Sequence, residues 1–348
     1  MINKSYQIKV YWLDGTFKST ISPKIVMKNL TFSENINGWQ GQMTVSLAIP
    51  FADATFGLTD VVQVTCFDAN NMNWRLIYTW YITKFQRNYS NAGESIDLVC
   101  IGLYAMLNAM FYNFGGYIFT KNQAPDLTIK EIIDFFNLQY TANRFSYSAW
   151  NINAYWSNLN IKFDYTKCND AIANIQKATN DFFFYIDENG DVTYRTNTFS
   201  TLDHKFTIWK DVEAIDVDES VENVSNKIML KRGGSWTERW PYQNAWSIAT
   251  YGKRENVVTA SDIQDGASAD IYWNTYISKN KNSKKEIVLI INSNYDLESI
   301  RPGQFVSVYN TDFEMKQLQI QKIDYRSESV RVYLDQYTTF SQSILSNK

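Results

Sequence analysis

The feature that most constrains the fold is an internal repeat whose two copies lie far apart in the chain. Residues 30–36 align without gaps with residues 215–221, and the same register continues to residues 43–45 and 228–230. After an interruption, Leu58, Val64, Cys66 and Phe67 align with Ile300, Val306, Val308 and Tyr309, residues 82–85 with 320–323, and residues 95–100 with 329–334. The pattern indicates one structural unit that occurs twice. Alignment by chance is the alternative, because hydrophobic alternation is common in all-β chains.

Both copies are patterned as strands. Within residues 75–84, the side chains of Leu76, Tyr78, Trp80 and Ile82 fall on one face with a period of two. Turn signals such as the Asp-Gly pair at 14–15 separate comparable runs, and closely spaced antiparallel strands of this kind predict a small barrel. The expected fold is mainly β with α+β inserts. It contains two similar small antiparallel β-barrels, the second split by an insertion.

The repeat and the changes of periodicity divide the 348 residues into four parts. We expect β-barrel 1 at residues 1–102 and an α+β insert domain at 103–209. β-Barrel 2 is expected at 210–233 and 285–340, and the insertion at 234–284 is expected to contain a helix and to pack with the α+β domain.

Three helices are predicted in the inserts. Thr128 and Glu131 have the spacing of a capping box, and apolar residues follow at positions 129, 132, 133 and 136. Asn169 is the candidate cap of a second helix, and residues 268–279 have the apolar face of a third. Residues 187–191 resemble a calcium loop in spacing, but they lie between two strand patterns and lack a bidentate acid at the twelfth position. They therefore predict a hairpin turn.

The net charge and the small number of Cys and His residues disfavour several classes of function. Lys and Arg number 33 against 36 Asp and Glu, so the net charge of -3 gives no general reason to hold nucleic acid or an anionic membrane. Cys66, Cys100 and Cys168 stand far apart, and His204 is the single histidine, so a structural zinc site and a histidine-dependent triad lack residues. We expect each thiol to be a buried apolar group. We expect His204, in the polar stretch 202–205, to lie on the surface.

These observations predict a protein that is not an enzyme and has no catalytic, metal-binding or cofactor-binding residues. The paired glycines at 115–116 and 233–234 belong to no nucleotide-binding motif. No apolar run reaches membrane-spanning length, and the N-terminal residues lead straight into a strand pattern without an export signal. The odd number of cysteines indicates folding in a reducing cytoplasm.

Aromatic residues are in excess, with 11 Trp, 23 Tyr and 21 Phe, and such side chains favour strands and interfaces. Trp150 and Trp156 lie in loop-like stretches. The candidate interface or glycan-stacking residues are Trp236, Trp240, Tyr242 and Trp246. Exposed rings can stack on sugars, so the alternative function is a glycan-binding or glycan-hydrolysing protein, although no second carboxylate at glycosidase separation can be identified.

An acidic run occupies the start of the second repeat copy. It consists of Asp211, Glu213, Asp216, Asp218 and Glu219. Alternation along a strand would direct these carboxylates to opposite faces, which disfavours a metal site. The run predicts a solvated strand edge or a contact with a partner.

The order of barrel, helical insert and split second barrel resembles the baseplate hub of tailed phages, the family of the tail-associated (Tal), late control D and VgrG-type hub proteins. Four stretches carry the resemblance, IQKATND at 175–181, FYIDENGD at 184–191, YGKRE at 251–255 and IRPGQFVS at 300–307. The chain ends soon after the second repeat copy, so the fibre, lytic or glycan-binding extension of many relatives is not expected.

The resemblance implies a structural protein of the virion tail tip that folds and assembles in the host cytoplasm. It implies a homotrimer that closes or caps the tail tube, docks on a hexameric distal tail protein or the tube itself, and lets tape measure protein and DNA pass without sequence-specific binding. Two similar barrels in each chain would give a trimer six similar units, which matches a sixfold partner.

Overall fold

The computed structural model describes residues 5–21, 27–36, 41–68, 72–91, 93–139, 145–179, 182–196, 201–231, 242–309, 315–326 and 328–336. Within these ranges, no helix has both the length and the apolar character needed to cross a membrane.

Strands dominate the secondary structure, which confirms the prediction of a mainly β chain. The first part contains β1 (Tyr6–Tyr11), β2 (Phe17–Ile21), β3 (Met27–Asn35), β4 (Gln42–Leu47), β5 (Val61–Asp68), β6 (Asn73–Ser90) and β7 (Gly93–Gly102), with 3₁₀ helices at Phe51–Asp53 and Leu103–Ala109. The middle part contains β8 (Ile118–Gln123), α1 (Pro125–Gln139), β9 (Leu159–Asp164), α2 (Cys168–Ala178), β10 (Phe182–Ile186), β11 (Val192–Thr196) and β12 (His204–Thr207).

The last part of the chain alternates strands with two helices. It contains β13 (Val212–Ser220), β14 (Lys227–Lys231), β15 (Tyr242–Gln243), α3 (Ala245–Tyr251), β16 (Glu255–Thr259), α4 (Gly266–Asn280), β17 (Lys284–Asn292), a 3₁₀ helix at Leu297–Ser299, β18 (Phe305–Tyr309), β19 (Met315–Arg326) and β20 (Ser329–Gln336).

A 13-stranded sheet forms the body of the molecule. Its strand order is β13-β17-β20-β19-β3-β4-β7-β6-β5-β1-β2, with β18 beside β19 and β12 beside β18. The sequence alternation explains why one face is covered: in β4, Met43, Val45 and Leu47 are buried, whereas Gln42 and Thr44 are exposed. One hydrophobic cluster extends under both ends of this sheet.

The internal repeat is present in the strand pairing. The first half pairs in the order β3-β4-β7-β6-β5-β1, and the second half in the order β13-β17-β20-β19-β18-β12. The halves differ at the end, because β1 is antiparallel to β5 whereas β12 is parallel to β18. Among the described residues no strand pair closes either half into a barrel, so the prediction of two barrels is not confirmed.

The register of the two halves is the same. Pairing across the first half aligns Phe32, Met43, Cys100 and Ile82. Pairing across the second half aligns Val217, Ile287, Leu334 and Ile320. The register shifts at equivalent places, between Ile82 and Lys84 and between Ile320 and Lys322. The alignments of residues 30–36, 82–85 and 95–100 with their partners are therefore confirmed.

Two other parts of the sequence alignment are wrong. Residues 228–230 lie in β14, which belongs to a separate three-stranded sheet, and the position equivalent to β4 is taken by β17. The insertion into the second half therefore begins directly after β13, where a gapless alignment cannot detect it. In addition, Thr59 donates its N–H to Ile82 O and Gly303 donates its N–H to Ile320 O, so Leu58 corresponds to Pro302 and not to Ile300.

A second hydrophobic cluster holds the α+β insert. Its helical members include Ile129, Ile132 and Phe136 of α1, Ile172 and Ile175 of α2, and Ala269 and Tyr272 of α4. Ile228 and Leu230 of β14 belong to the same cluster, so the insertion after β13 packs with the α+β part. Each large apolar side chain buried there contributes about 1.5–3 kcal/mol to folding.

The three predicted helices are present, but each begins earlier than expected, α4 at Gly266 instead of residue 268. Helix α1 begins at Pro125, so Thr128 lies within its first turn and donates its hydroxyl to Ala124 O at 3.2 Å. Helix α2 begins at Cys168, and Lys167 rather than Asn169 occupies the N-cap position. The sequence patterns indicate the apolar faces well, whereas they place the helix starts a few residues too late.

The environment of His204 contradicts the surface prediction. Its side chain is 6% exposed, with Nδ1 2.9 Å from Tyr295 Oη and Nε2 2.8 Å from Gln304 Oε1. The parallel pairing of β12 with β18 buries the ring, and this burial lowers the pKa of His204. The cysteine prediction is confirmed, because the thiols of Cys66, Cys100 and Cys168 are buried.

Candidate functional site

The structure places only some of the interface or glycan-stacking residues that the sequence suggested. Trp236 and Trp240 lie outside the described residues. The Tyr242 hydroxyl donates to Asp270 Oδ1 at 2.6 Å, and its ring lies 4.2 Å from that of Trp273, so Tyr242 packs against α4. Trp246, on α3, is 52% exposed. Of the residues that can be placed, Trp246 therefore offers an open ring, whereas Tyr242 has a structural partner.

Other tryptophans offer larger exposed surfaces. Trp150 is 87% exposed, Trp156 is 72% exposed and stacks on Tyr155, and Trp209 is 90% exposed. Trp209 also has a left-handed backbone conformation, with φ of 71°. Aromatic rings this exposed are accessible to a partner, and aromatic residues are enriched where proteins contact one another. The sequence did not single out Trp209, because it lies in a turn that has no aromatic neighbours in the chain.

The centre of the site is a half-buried polar junction at which both halves and the insert meet. Arg301, in the second half, binds Glu188 of the β10–β11 hairpin with Nε–Oε2 and Nη2–Oε1 distances of 3.2 and 3.3 Å. Arg301 Nη2 also donates to Ile77 O at 3.1 Å, and its guanidinium lies 4.8 Å from the ring centroid of Tyr78. One side chain thus contacts three parts of the chain. The two sequence stretches 184–191 and 300–307 meet at the ion pair of Glu188 and Arg301.

Glu34 extends this junction into the first half. Its Oε2 accepts a hydrogen bond from the Tyr185 hydroxyl at 3.0 Å. Burial raises the pKa of Glu34 to about 8, although the positive charge of Arg301 favours ionisation. A small cleft beside this carboxyl is lined by Gly41, Tyr104 and Asp187. The hydrogen bonds of Arg301, Glu188, Glu34 and Tyr185 are those of a contact between packed units, although the buried hydroxyl of Tyr78 has no hydrogen-bond partner among the described residues.

A second buried polar group ties the two halves together. Tyr6 of β1 and Tyr325 of β19 share a hydrogen bond at 2.6 Å between their hydroxyls, and Tyr325 also donates to Glu298 Oε1. Burial is the largest cause that raises the pKa of both phenols. Sequence reasoning missed this group and the Arg301 junction, because their members are far apart in the chain. The described residues contain no group of three or more His, Cys, Asp or Glu side chains that could hold a metal ion.

Solved structures of phage tail proteins share this fold. The tail protein from Neisseria meningitidis MC58 has a TM-score of 0.67 at 9% identity, with 96% of each chain covered. The 43 kDa tail protein of prophage MuSo2 from Shewanella oneidensis has a TM-score of 0.63 at 11% identity, with 95% of this chain and 98% of that chain covered. A type VI secretion component from E. coli, itself structurally similar to bacteriophage T4 tail proteins, has a TM-score of 0.54 at 11% identity and covers 91% of this chain and 75% of its own.

No protein-family model matches the sequence, and no curated protein matches it either. The likeness is therefore one of three-dimensional structure, and it extends over nearly the whole chain. The strand order, the insert and the second insertion of this chain together have the fold of phage tail proteins.

Proposed function

We propose that this chain is a structural subunit of a phage tail tip, a baseplate hub, in which three copies form a ring that closes or caps the tail tube. The observation that carries the proposal is the duplicated strand order, β3-β4-β7-β6-β5 and β13-β17-β20-β19-β18, with the same register in both halves. Three chains with two similar halves present six similar units. Such a ring adapts a threefold object to a sixfold partner without leaving contacts unmet.

The joint between the halves supports this arrangement. β3 of the first half pairs with β19 of the second half, and these are not equivalent strands of the repeat. A contact between two different edges is head-to-tail, and repetition of a head-to-tail contact generates a ring when the rotation closes. The sixfold partner is a hexameric distal tail protein or the tail tube itself.

The charge of the chain is compatible with a conduit. A net charge of -3 disfavours tight retention of phosphates, so tape measure protein and DNA can pass without sequence-specific binding. The role is structural and requires no catalytic residue. The protein would fold in the host cytoplasm and function at the tail tip of the virion.

Particle mass and symmetry test the proposal. The purified chain is expected to form a trimer near three times 40.5 kDa, and electron micrographs are expected to show rings with six similar lobes. Antibody-gold labelling of intact phage is expected at the distal end of the tail. A particle that stays monomeric or dimeric at high concentration, together with label along the tube or on the capsid, would contradict the proposal.

Glycan binding is the second candidate, and the exposed rings of Trp150, Trp156 and Trp246 favour it. A glycan array separates the two candidates, because a tail hub is expected to give no saturable signal. If a signal is found, Trp246→Ala should remove it when the sugar stacks on α3, whereas Trp209→Ala is a control at a more exposed ring on another segment. Release of reducing sugar would instead indicate hydrolysis.

A further inference from the structure

Two of the open strand edges in the described part of the chain lie at positions of the repeat that are paired in its other copy. β13 pairs with β17 on one side and ends the large sheet on the other. In β6, residues 80–90 pair with β7, but β5 pairs only with residues 73–81, so the rest of that edge faces no strand among the residues that can be placed. Open edges of this kind present free N–H and C=O groups and are sites of strand addition.

The repeat shows what such edges do when a partner is present. β13 is equivalent to β3, and β6 is equivalent to β19, and β3 and β19 pair with each other in the same chain. Their antiparallel register places Asn35 opposite Lys322, Ser33 opposite Asp324 and Phe32 opposite Tyr325. The backbone N–H of Ile36 also donates to Gln321 O at 3.0 Å.

Burial differs between the equivalent positions as expected for a missing neighbour. Phe32 and Ile36 on β3 are each 4% exposed, whereas the equivalent Val217 and Val221 are 50% and 39% exposed. Val217 lies directly across from Ile287, which is buried in the core, so this apolar side chain stands on the core side of an open edge. Covering these two valines would bury apolar surface, which favours association.

We propose that β13 of one subunit pairs with residues 84–88 of β6 in the next subunit and so repeats between chains the β3–β19 pairing within the chain. This proposal rests on the proposed ring. Transfer of the β3–β19 register gives the pairs Lys84 with Ser220, Gln86 with Asp218, Arg87 with Val217 and Asn88 with Asp216. Residues Thr83, Lys84, Gln86 and Arg87 are exposed and thus open to this contact.

Charge complementarity supports the choice of partner. The open edge of β13 carries the carboxylates of Asp216, Asp218 and Glu219, whereas the open edge of β6 carries Lys84 and Arg87. In the transferred register Lys84 is the diagonal neighbour of Asp218, and Arg87 is the diagonal neighbour of Glu219. Diagonal neighbours on one face of an antiparallel pair are within reach of long side chains. The acidic run at the start of the second repeat copy therefore has a role as a partner contact.

A cysteine pair tests the register directly. Residues opposite each other in antiparallel strands have Cα atoms about 4.5–5.5 Å apart, which suits a disulfide. The Gln86→Cys/Asp218→Cys variant is expected to yield, on mild oxidation, a covalent trimer that reverts to monomer on reduction. Gln86→Cys/Glu219→Cys is the matched control, because side chains at 218 and 219 point to opposite faces. The native thiols are buried and should not react.

The outcomes separate this inference from the proposed function. A native trimer whose 86/218 variant does not cross-link would overturn the strand pairing and leave the ring in place. Cross-linking of the 86/219 control instead would overturn the register. A chain that remains monomeric at high concentration and forms no cross-link would overturn both proposals.

Charge reversal gives an independent measurement. Lys84→Glu is expected to weaken the association of subunits by about two- to fivefold per interface, because exposed ion pairs contribute little each. Lys84→Glu/Asp218→Lys is expected to restore the trimer. If the double variant associates no better than the single variant, Lys84 and Asp218 do not meet in the assembled ring.

Discussion

The aromatic rings of Phe32 and Tyr325 stack face to face, with centroids 4.3 Å apart and an angle of 5° between their planes. Phe32 belongs to the first half of the repeat and Tyr325 to the second, and they are direct neighbours across the β3–β19 pairing. This stack is the apolar centre of the joint between the halves. The stability of the joint should therefore depend on these two residues and on the polar groups around them.

The hydroxyl of Tyr325 is expected to stabilise the joint separately from its ring. Tyr325→Phe keeps the stack on Phe32 but removes the hydrogen bonds to Tyr6 and Glu298. Because the groups left behind are buried, we expect a loss of about 1–3 kcal/mol in the free energy of unfolding, measured with urea. Tyr89→Phe, at a tyrosine that is 82% exposed, should change it by less than about 0.5 kcal/mol.

The ion pair between Arg301 and Glu188 should contribute more to the free energy of unfolding than an ion pair on the surface. Their side chains are 11% and 20% exposed, and Arg301→Gln leaves Glu188 without this cation, so a loss of about 3 kcal/mol is expected. The control is Arg75→Gln, which breaks a pair with Asp296 at 35% and 55% exposure and should cost about 0.5 kcal/mol. A double-mutant cycle with Glu188→Gln isolates the coupling. Equal losses at the two sites would contradict a buried joint.

The buried carboxyl of Glu34 predicts a pH dependence. Its pKa is raised from 4.5 to about 8 by burial, so between these values the folded chain binds more protons than the unfolded chain. This contribution to stability is complete below about pH 4.5 and is lost as the pH rises through about 8. In Glu34→Gln, the free energy of unfolding should decrease less between pH 5 and 8 than in the native chain. Glu328→Gln, at an exposed turn, should leave this decrease unchanged. A variant as pH-dependent as the native chain would contradict this assignment.

Equivalent turns in the two halves should respond oppositely to substitution. Gly303 has φ of 86°, and an added Cβ would lie 2.9 Å from Cε2 of Phe183. Gly303→Ala is therefore expected to destabilise the chain by about 1–3 kcal/mol. Thr59 occupies the equivalent position with φ of 73°, so Thr59→Gly should raise the melting temperature by relieving a conformation that costs about 1 kcal/mol. A stabilising Gly303→Ala would show that this turn can relax.

Much of the fold could be predicted because it depends on local patterns. The apolar faces of α1 and α4, the hairpin between β10 and β11, and the register of three repeat segments all follow from residue spacing. The place of β14 could not be predicted in the same way. It depends on which strands lie beside it, and β16 is distant in the sequence.

The candidate site, too, could be predicted only in part from the sequence. The sequence places Trp246 in a loop-like stretch; the residue lies on α3 instead, but its ring is exposed. Nothing in the sequence indicated that Arg301 meets Glu188, because the two residues are separated by more than half of the second repeat copy and the helical insertion.

By itself, the sequence determined that one β unit occurs twice and that helices interrupt the strands, since periodicity and turn residues act over a few neighbouring positions. Only the tertiary structure decided that the halves share one sheet through β3 and β19, that His204 is buried, and that one edge of β13 and part of one edge of β6 face no strand among the described residues. The physical reason is that strand pairing and burial depend on hydrogen-bonding partners from remote parts of the chain, which periodicity does not identify.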